Sequence, residues 1–438
     1  QLLLAFPPLA PSDHMSAAAP ATSDYSGTKP VVVIDNGTGF IKMGYAGNEE
    51  PSYIMPSCYA DNVVAGKTTE LLDDLDFSIG YDALRRPNAN ISYPIQHGIV
   101  EDWDKMERVW QHCIYKYLRV EPSEHGFLLT EPPANPPENR EYLAEVMFET
   151  FGVKQLVIAV QGVLALHAAA SSDKGRKLGL DQGTLTGTVI DSGDGVTHVI
   201  PIVEGYVLSH SIRHIPLAGR DVTNFVLDRL RERESGIPPD EALLMAQRVK
   251  EQYCYLAADM SQEFSEFDND PSRFLVHEEI SKKSGKPIKF EVGYEQFLGP
   301  EIFFRPEIFS SSHTTPLPQI VDTVILSAPI DCRKALYRSI VLSGGTTMFP
   351  QFGARLQREL RGIVDQRIQA TLAATKDKSR KIDIQVNVVS HKRQRYAVWY
   401  GGSVVGASPN YHTIAHTKQQ YDEEGPRICR NNAMLTTV

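Results

Sequence analysis

Cysteine is scarce in this sequence, with five residues in a chain of 438. Disulfide frameworks and zinc sites need cysteines at close and regular intervals. The five here are scattered along the chain, at Cys58, Cys113, Cys254, Cys332 and Cys429. Their distribution argues against both kinds of cross-link and predicts reduced thiols in a cytosolic protein.

An excess of positive charge and a long apolar segment are also missing. The net charge is −10, so no nucleic-acid partner is implied. The longest mainly apolar run, residues 156–170, contains Gln161 and His167 and is too short to span a bilayer. We therefore expect no membrane insertion and predict that this run is a buried strand leading into a helix.

Residues 1–30 lack sustained periodicity and are rich in Pro, Ser and Ala, which predicts a disordered tail. Residues 2–6 are apolar but have no basic flank, so we do not interpret them as a signal peptide. Met15 is a plausible natural start, a hypothesis that a peptide from residues 1–14 of the natural protein would refute. The remaining length is enough for two α/β lobes.

What the sequence does contain is a strand–turn–strand pattern around Asp191. The apolar residues 188–190 lead to this aspartate, Gly193 and Gly195 follow, and β-forming residues resume at Val196. Backbone N–H groups in such a turn can face a phosphate, and a carboxylate at a strand end suits a hydrated Mg²⁺. Tight hairpins of no special function use the same residues.

The pattern occurs a second time in residues 31–40, where Asp35 is followed by Gly37 and Gly39. The two copies lie about one domain length apart, which suggests two similar halves that face one another. Two phosphate-binding hairpins from two halves would close around one polyphosphate. Two unrelated hairpins remain the alternative interpretation of the motifs alone.

Apolar periodicity predicts strands and helices along the rest of the chain. Predicted strands cover residues 127–130, 157–160, 340–343 and 382–388. Predicted helices cover residues 103–117 and 136–152, and others begin near residues 217, 238 and 350. Residues 265–290 and 375–381 are predicted to be loops. Lys250 and Glu251 would form a solvated charged pair in the simplest interpretation.

Five ordered motifs in this chain resemble those of the actin family. They are residues 35–39, 191–198, 217–221, 342–348 and 399–403, and the resemblance extends over about residues 31–430. Further stretches resemble a filament-nucleating branch of that family more than conventional actin. These are residues 185–190, 293–304, 394–399 and 425–430, together with inserts at 171–183, 265–290 and 368–381.

The resemblance implies an α/β, actin-like ATPase fold. Two similar lobes, built as duplicated ribonuclease-H-like domains, would surround a nucleotide cleft, each with a smaller subdomain. Subdomain 1 would comprise 31–56, 94–168 and 397–438, and subdomain 2 would comprise 57–93. Subdomain 3 would comprise 169–217 and 310–396, and subdomain 4 would comprise 218–309.

The resemblance also implies a site for ATP and Mg²⁺. The phosphates would be held from one lobe by Thr38, Gly39, Phe40 and Lys42, and from the other by Asp194, Gly195 and Val196. The Mg²⁺ would be held through its waters by Asp35, Gln161 and Asp191. The ribose and adenine would be lined by Gly219, Lys250, Glu251, Gly345, Met348, Phe349 and Arg395. The chemistry agrees, since Lys42 supplies a point charge to phosphate and carboxylates favour Mg²⁺.

Gln161 and His198 resemble the residues that place the attacking water in this family. A buried histidine with a purely structural role is the alternative for His198. Slow ATP hydrolysis is therefore permitted, although we do not predict an enzyme. Three positions depart from conventional actin: Gln247 replaces an arginine, Arg395 replaces a lysine, and Tyr81 follows Gly80 where an acidic residue is usual.

In function, the resemblance implies an ATP-binding subunit of a cytoplasmic complex that nucleates branched actin filaments. Its partners would be actin-related protein 2, the other subunits of the complex, an actin filament and nucleation-promoting factors. A conventional filament-forming protein is the main alternative, opposed by the inserts. A sugar kinase would need a separate aspartate base, and a chaperone-type ATPase would need a further substrate domain; we find neither signal.

Overall fold

The computed structural model describes most of the chain. The described residues are 29–61, 77–86, 90–180, 185–234, 236–281, 285–374 and 383–431. The predicted tail therefore lies outside them except for Lys29 and Pro30. The predicted loop at 375–381 also lies outside the described residues, as do parts of the three inserts.

The strands are numbered in chain order. They are β1 Val32–Asn36, β2 Phe40–Tyr45, β3 Tyr53–Pro56, β4 Tyr59–Asp61, β5 Phe77–Ile79, β6 Asn90–Ser92, β7 Ile95–Gln96, β8 Ile99–Val100, β9 Gly126–Glu131, β10 Gln155–Val160, β11 Gly187–Ser192, β12 Thr197–Val203, β13 Tyr206–Val207, β14 Arg213–Ile215, β15 Leu275–Ile280, β16 Pro287–Val292, β17 Ile340–Ser343, β18 Val388–Val389 and β19 His416–Thr417.

The α-helices are numbered in the same way. They are α1 Tyr81–Arg85, α2 Trp103–Gln111, α3 Pro137–Glu145, α4 Gln161–Ala170, α5 Asp173–Lys177, α6 Gly219–Arg233, α7 Ala242–Tyr253, α8 Met260–Asn269, α9 Glu295–Glu301, α10 Leu317–Ser327, α11 Ile330–Arg338, α12 Phe352–Ala374, α13 Ala397–Gly406, α14 Tyr411–Ile414 and α15 Lys418–Glu424. Helices α2 and α3 each continue into a π-helical segment, His112–Leu118 and Val146–Thr150.

Two large sheets organise the molecule, and each contains one of the two predicted hairpins. The first sheet has the strand order β19-β10-β9-β1-β2-β3, and we call it with its helices the first lobe. The second has the order β13-β12-β11-β17-β18, with β14 also paired to β12, and belongs to the second lobe. In each, an antiparallel hairpin (β1–β2 or β11–β12) lies beside a parallel strand (β9 or β17). The predicted duplication and fold class are confirmed.

The two lobes share one hydrophobic core beneath the hairpins. It combines Val33 and Leu128 of the first sheet with Val189 and Ile200 of the second. Helices α4 and α13 cross between them, so closely that a Cβ added at Gly401 would overlap the carbonyl oxygen of Leu164. The predicted strand-then-helix at 156–170 is thus β10 followed by α4, which lies at the centre of the molecule. None of the helices within the described residues is long and apolar enough to cross a membrane.

Two sequence predictions are wrong. Residues 265–290, predicted to be a loop, contain the second half of α8 and most of the antiparallel ribbon of β15 and β16. Aromatic rings from this segment and from the residues that flank it pack together in the fold. They include Phe264, Phe267, Phe274, Tyr294 and Phe297. A strand is predicted at 382–388, but of the described residues there only the last belongs to β18, because its parallel partner β17 begins at Ile340 and helix α11 precedes it up to Arg338.

The other predicted elements are confirmed within a few residues. The predicted strands at 127–130 and 157–160 are β9 and β10, and the helix predicted at 103–117 is α2 with its π-helical continuation. The helix predicted from Pro136 begins one residue later, at Pro137. Within residues 57–93, strands β4, β5 and β6 form a small separate sheet. The division into four subdomains remains a prediction.

Candidate functional site

The turns of the two hairpins touch one another where the lobes meet. A Cβ added at Gly39 would lie 2.7 Å from the Cβ of Asp194, and one added at Gly195 would lie 2.8 Å from Cγ2 of Thr38. Glycine is thus required at both positions by close approach, not by a left-handed backbone. The sequence-predicted phosphate residues of the two lobes are therefore brought together at one place.

In the first hairpin, Asp35 is held by two donors. Lys42 Nζ lies 2.7 Å from its Oδ2, and Thr130 Oγ1 donates to its Oδ1 at 2.8 Å. Gln161 begins α4 nearby and donates through Nε2 to the carbonyl oxygen of Asn36 at 3.3 Å. Thr130 was not predicted as a site residue, although its position at the end of a strand parallel to β1 is a usable signal. Lys42 is thus positioned by Asp35 and is available to an anion beside it.

In the second hairpin, Asp191 stands where Asp35 stands in the first. It lies opposite His198 across the β11–β12 ladder, as Asp35 lies opposite Lys42. Burial raises the pKa of Asp191, and the nearby Asp35 carboxylate acts in the same direction. A carboxylate whose charge is disfavoured in this way fits a bound cation.

The residues present fit Mg²⁺ held through water. Asp35, Asp191 and Gln161 offer oxygen atoms, which Mg²⁺ prefers, and it commonly keeps several of its waters. Among the described residues there is no cluster of three or more His, Cys, Asp or Glu side chains that could hold a metal directly. The carboxylate oxygens of the two aspartates suit contacts with the waters of such an ion.

The turn at Asp194 is attached to the start of α6. Arg220 Nη2 donates to the carboxylate of Asp194 at 2.9 Å, and the backbone N–H of Gly219 donates to Gly193 at 3.0 Å. The Arg220 guanidinium also lies over the ring of Tyr93, 4.9 Å from its centroid. Arg220 lies in the family motif at 217–221 but was not predicted as a site residue. It neutralises Asp194 beside the turn predicted to bind phosphate, and the backbone N–H groups there remain available to an anion.

Lys250 and Glu251 lie at the end of α7 and do not form the solvated pair of the simplest interpretation. Lys250 is buried and donates to the carbonyl oxygen of Gly219 at 3.0 Å. Burial lowers its pKa, which Asp194 partly counteracts. Glu251 is exposed and accepts from Gln247 at 3.0 Å. Lys250 therefore connects α7 to α6 beside the second turn.

A third turn, which follows β17, lies beside the turn of the second hairpin. Thr346 Oγ1 donates to Gly193 at 2.6 Å, which ties this turn to the second hairpin. Gln394 Nε2 donates to Thr347 Oγ1 at 2.6 Å, which places the neighbouring Arg395 beside the turn. A Cβ added at Gly345 would meet no described atom within 4 Å, so open space lies next to it. The predicted base-side residues Met348 and Phe349 follow it and are half-buried.

Tyr81 is the first residue of α1 and follows strand β5 of the small sheet closely. Burial raises the pKa of this phenol, Arg395 lowers it and Glu251 raises it. Arg395 and Glu251, two of the predicted base-side residues, are therefore close enough to influence the pKa of Tyr81. Tyr81 is 38% exposed, so a partly exposed aromatic residue stands here in place of the usual acidic one.

Of the two predicted water-positioning residues, Gln161 lies beside Asn36 and Thr130, and His198 lies in the second sheet. His198 is buried, and burial lowers its pKa to about 4. Its Nε2 lies 3.1 Å from Nδ1 of His214, a residue that the sequence did not single out. A cavity of about 570 Å³ lies beside both hairpin turns, and Thr38, Gly195 and His97 are among its lining residues. The two turns therefore border open space on this side as well.

Comparison with known proteins agrees with this geometry. The family model described as Actin matches residues 26–434. This range includes both hairpins, the third turn and the segment around Arg395.

Individual relatives are similar over nearly the same length. Actin-related protein 3 of Dictyostelium discoideum is 52% identical over 416 residues, covering 93% of this chain and 97% of the relative. Actin-related protein 3 of Acanthamoeba castellanii is 53% identical over 424 residues, with the same coverage. Actin-related protein 3 of Drosophila melanogaster is 49% identical over 421 residues, covering 94% of this chain and all of the relative.

Proposed function

This chain belongs to the actin family, and we propose that it acts as an actin-related protein 3, the ATP-binding actin-like subunit of the actin-related protein 2/3 complex. In this role it nucleates branched actin filaments by templating the daughter filament beside actin-related protein 2. Its other partners are the remaining subunits, an actin filament and nucleation-promoting factors. It works in the cytoplasm, at the actin cytoskeleton and in cell projections.

The contact between the two hairpin turns is the observation that carries ATP binding. Because Gly39 meets Asp194 and Gly195 meets Thr38, an anion bound between the turns contacts both lobes at once. Lys42 adds a positive charge from the first lobe, and Asp35, Asp191 and Gln161 hold the Mg²⁺ through its waters. The base and ribose lie toward Gly219, Lys250, Glu251, Gly345, Met348, Phe349 and Arg395.

ATP acts here mainly as a ligand that favours the closed arrangement of the lobes. A ligand shifts a conformational equilibrium only by binding one state better than the other. Phosphates that touch both turns satisfy this condition, since separation of the lobes would remove half of their contacts. Slow hydrolysis through water placed by Gln161 and His198 is compatible with this role and is not required for closure.

The inserts favour a templating subunit over a protein that polymerises alone. Actin filaments are head-to-tail assemblies in which one contact repeats without closing. The described residues of the insert at 265–290 include the second half of α8 and most of the β15–β16 ribbon, with exposed apolar residues, among them Val276 and Ile280. With the inserts at 171–183 and 368–381, it would disturb the repeated contact at one end and leave the other end free for an actin subunit.

Pyrene-actin polymerisation tests the proposal. The complex is reconstituted with and without this chain, in the presence of an activator and ATP. We expect branch nucleation only when the chain is present. Nucleation unchanged by omission of the chain would refute the proposal, and long homopolymers of the purified chain with ATP would favour the conventional filament-forming alternative.

A further inference from the structure

His214 stands next to His198 on one face of the second sheet. His198 lies opposite Asp191 in the β11–β12 ladder and opposite His214 in the β12–β14 ladder. Residues directly opposite in an antiparallel ladder point to the same face. The three side chains Asp191, His198 and His214 therefore form one row across three strands, which begins at the predicted Mg²⁺ residue.

The two imidazoles are in hydrogen-bond contact. Nδ1 of His214 lies 3.1 Å from Nε2 of His198, and the ring centroids are 5.0 Å apart. His198 is 4% exposed, and its ring makes no other hydrogen bond to the described residues. Between two neutral imidazoles one nitrogen must donate and the other must accept, so each ring decides the tautomer of the other.

We propose that His214 is a positioning residue that fixes the tautomer of His198 so that Nδ1 of His198 accepts a hydrogen bond from the water that attacks ATP. The inference rests on the proposed function, in which His198 and Gln161 place that water. When Nε2–H of His198 donates to Nδ1 of His214, the lone pair on Nδ1 of His198 remains free. With a pKa of about 4, His198 is a weak base, so it orients the water and does not take its proton.

The first lobe contributes a third histidine to the row. His97 occupies the β7–β8 turn with a φ of 49°, and the next N–H, of Gly98, donates to Thr38 Oγ1 at 2.9 Å. The centroid of its ring lies 6.2 Å from that of His214. Burial lowers the pKa of His214, and His97 acts in the same direction. His97 thus helps to keep His214 neutral.

Protonation of His214 would reverse the tautomer of His198. Charged His214 carries a proton on Nδ1 and must donate to Nε2 of His198, which then has its own proton on Nδ1. The acceptor for the water is lost, so hydrolysis should fall as the pH falls through the pKa of His214. The other charged groups that line the cavity are Glu101, Asp102, Lys105, Arg220 and Asp221. Asp102 is paired with Lys105, Arg220 with Asp194, and Asp221 accepts from the backbone N–H of Ala218. The neighbour that acts electrostatically on the pKa of His214 is His97.

The test uses the reconstituted complex and single-turnover cleavage of ATP. His214→Leu should slow cleavage about 10- to 100-fold and leave the affinity for etheno-ATP within about twofold. His214→Asn, whose amide oxygen replaces the acceptor Nδ1, should restore most of the rate. His210→Leu, at an exposed position on the same segment, is the matched control and should behave as wild type.

The pH profile provides a second readout that a purely structural role would not change. In the wild type the rate should fall on the acid side, and in His97→Gln this fall should begin at higher pH because the influence of His97 that lowers the pKa of His214 is removed. A His214→Leu rate equal to wild type, a parallel loss of ATP affinity, or an unmoved acid limb would each overturn the inference. So would a wild-type complex that binds ATP and nucleates branches without cleaving ATP, and that outcome would leave the proposed function intact.

Discussion

Asp35 and Asp191 occupy equivalent places in the two hairpins and differ in what surrounds them. Asp35 already accepts hydrogen bonds from Lys42 and Thr130, whereas the pKa of Asp191 is raised by burial. A carboxylate whose charged form is disfavoured by burial, such as Asp191, stabilises the protein only when a cation is bound. The charge on Asp191 therefore contributes to ligand binding and not to the stability of the free protein.

This difference predicts the behaviour of Asp191→Asn. The variant should lose tight Mg-ATP binding and, with it, the rise in melting temperature that Mg-ATP causes, worth about 2.7 kcal/mol at 100 times the Kd. Without nucleotide its melting temperature should not fall, because a disfavoured charge has been removed. Asp173→Asn, at a side chain that is 91% exposed, is the control. Thermal unfolding with and without Mg-ATP measures both, and an undiminished nucleotide shift would show that the site assignment is wrong.

Arg395 should contribute to binding of the base and not of the phosphates. Its guanidinium is exposed beside the third turn, and a planar guanidinium can stack on adenine. Arg395→Ala should weaken ATP by about 1–2 kcal/mol, as for a cation–π contact. Competition titrations with ATP and with inorganic triphosphate separate the two contributions. An equal loss for both ligands would contradict a role on the base side.

At the scale of elements, the sequence was informative where the local pattern and the burial agree. The hairpins, β9, β10 and α4 were predictable because their apolar runs end at a polar or charged residue. The segment at 265–290 was not, since α8 is mostly polar and β15 exposes Val276 and Ile280. Its order depends on aromatic rings that lie far apart in sequence, as at Phe264 and Phe297. The partners Thr130, His214 and Arg220 were missed because contacts between elements that are separate in the sequence set their roles.

The crossing of α4 and α13 gives a prediction at the same scale. A methyl group at Gly401 would overlap the backbone of Leu164, which cannot move without displacing α4. Gly401→Ala should therefore lower the free energy of unfolding by about 2 kcal/mol or more. Gly362→Ala is the matched control, because the described residues leave open space at this exposed position of α12. That change should raise stability by up to about 1 kcal/mol in urea unfolding. Equal effects of the two substitutions would mean that α4 and α13 do not pack this closely.

For the whole molecule, the contact between the hairpin turns decides how far the lobes can close. Gly195→Ala should hold the lobes slightly apart, since the new methyl group would meet Cγ2 of Thr38. Faster dissociation of etheno-ATP is the expected result. Thr38→Ser removes that Cγ2 and keeps the hydroxyl that accepts from Gly98, so the double variant should recover slower dissociation.

Gly193 lies in the same turn, and a Cβ added there would meet no described atom within 4 Å. The Gly193→Ala variant should therefore release etheno-ATP at the wild-type rate. Additive effects of Gly195→Ala and Thr38→Ser would show that the two residues do not touch in the nucleotide-bound protein. Dissociation that is accelerated equally by Gly193→Ala would mean that the turn tolerates no side chain at all.

The shared core also determines the order in which the protein can fold during its synthesis. Trp399 of α13 donates to the carbonyl oxygen of Val33 at 3.1 Å, and β19 pairs with β10. The first sheet is therefore missing one edge strand and its covering helix until almost the whole chain has left the ribosome. Until then the apolar faces of β1 and β9 are exposed, and such surfaces aggregate. These apolar faces in the nascent chain therefore need protection from aggregation until α13 and β19 have been synthesised.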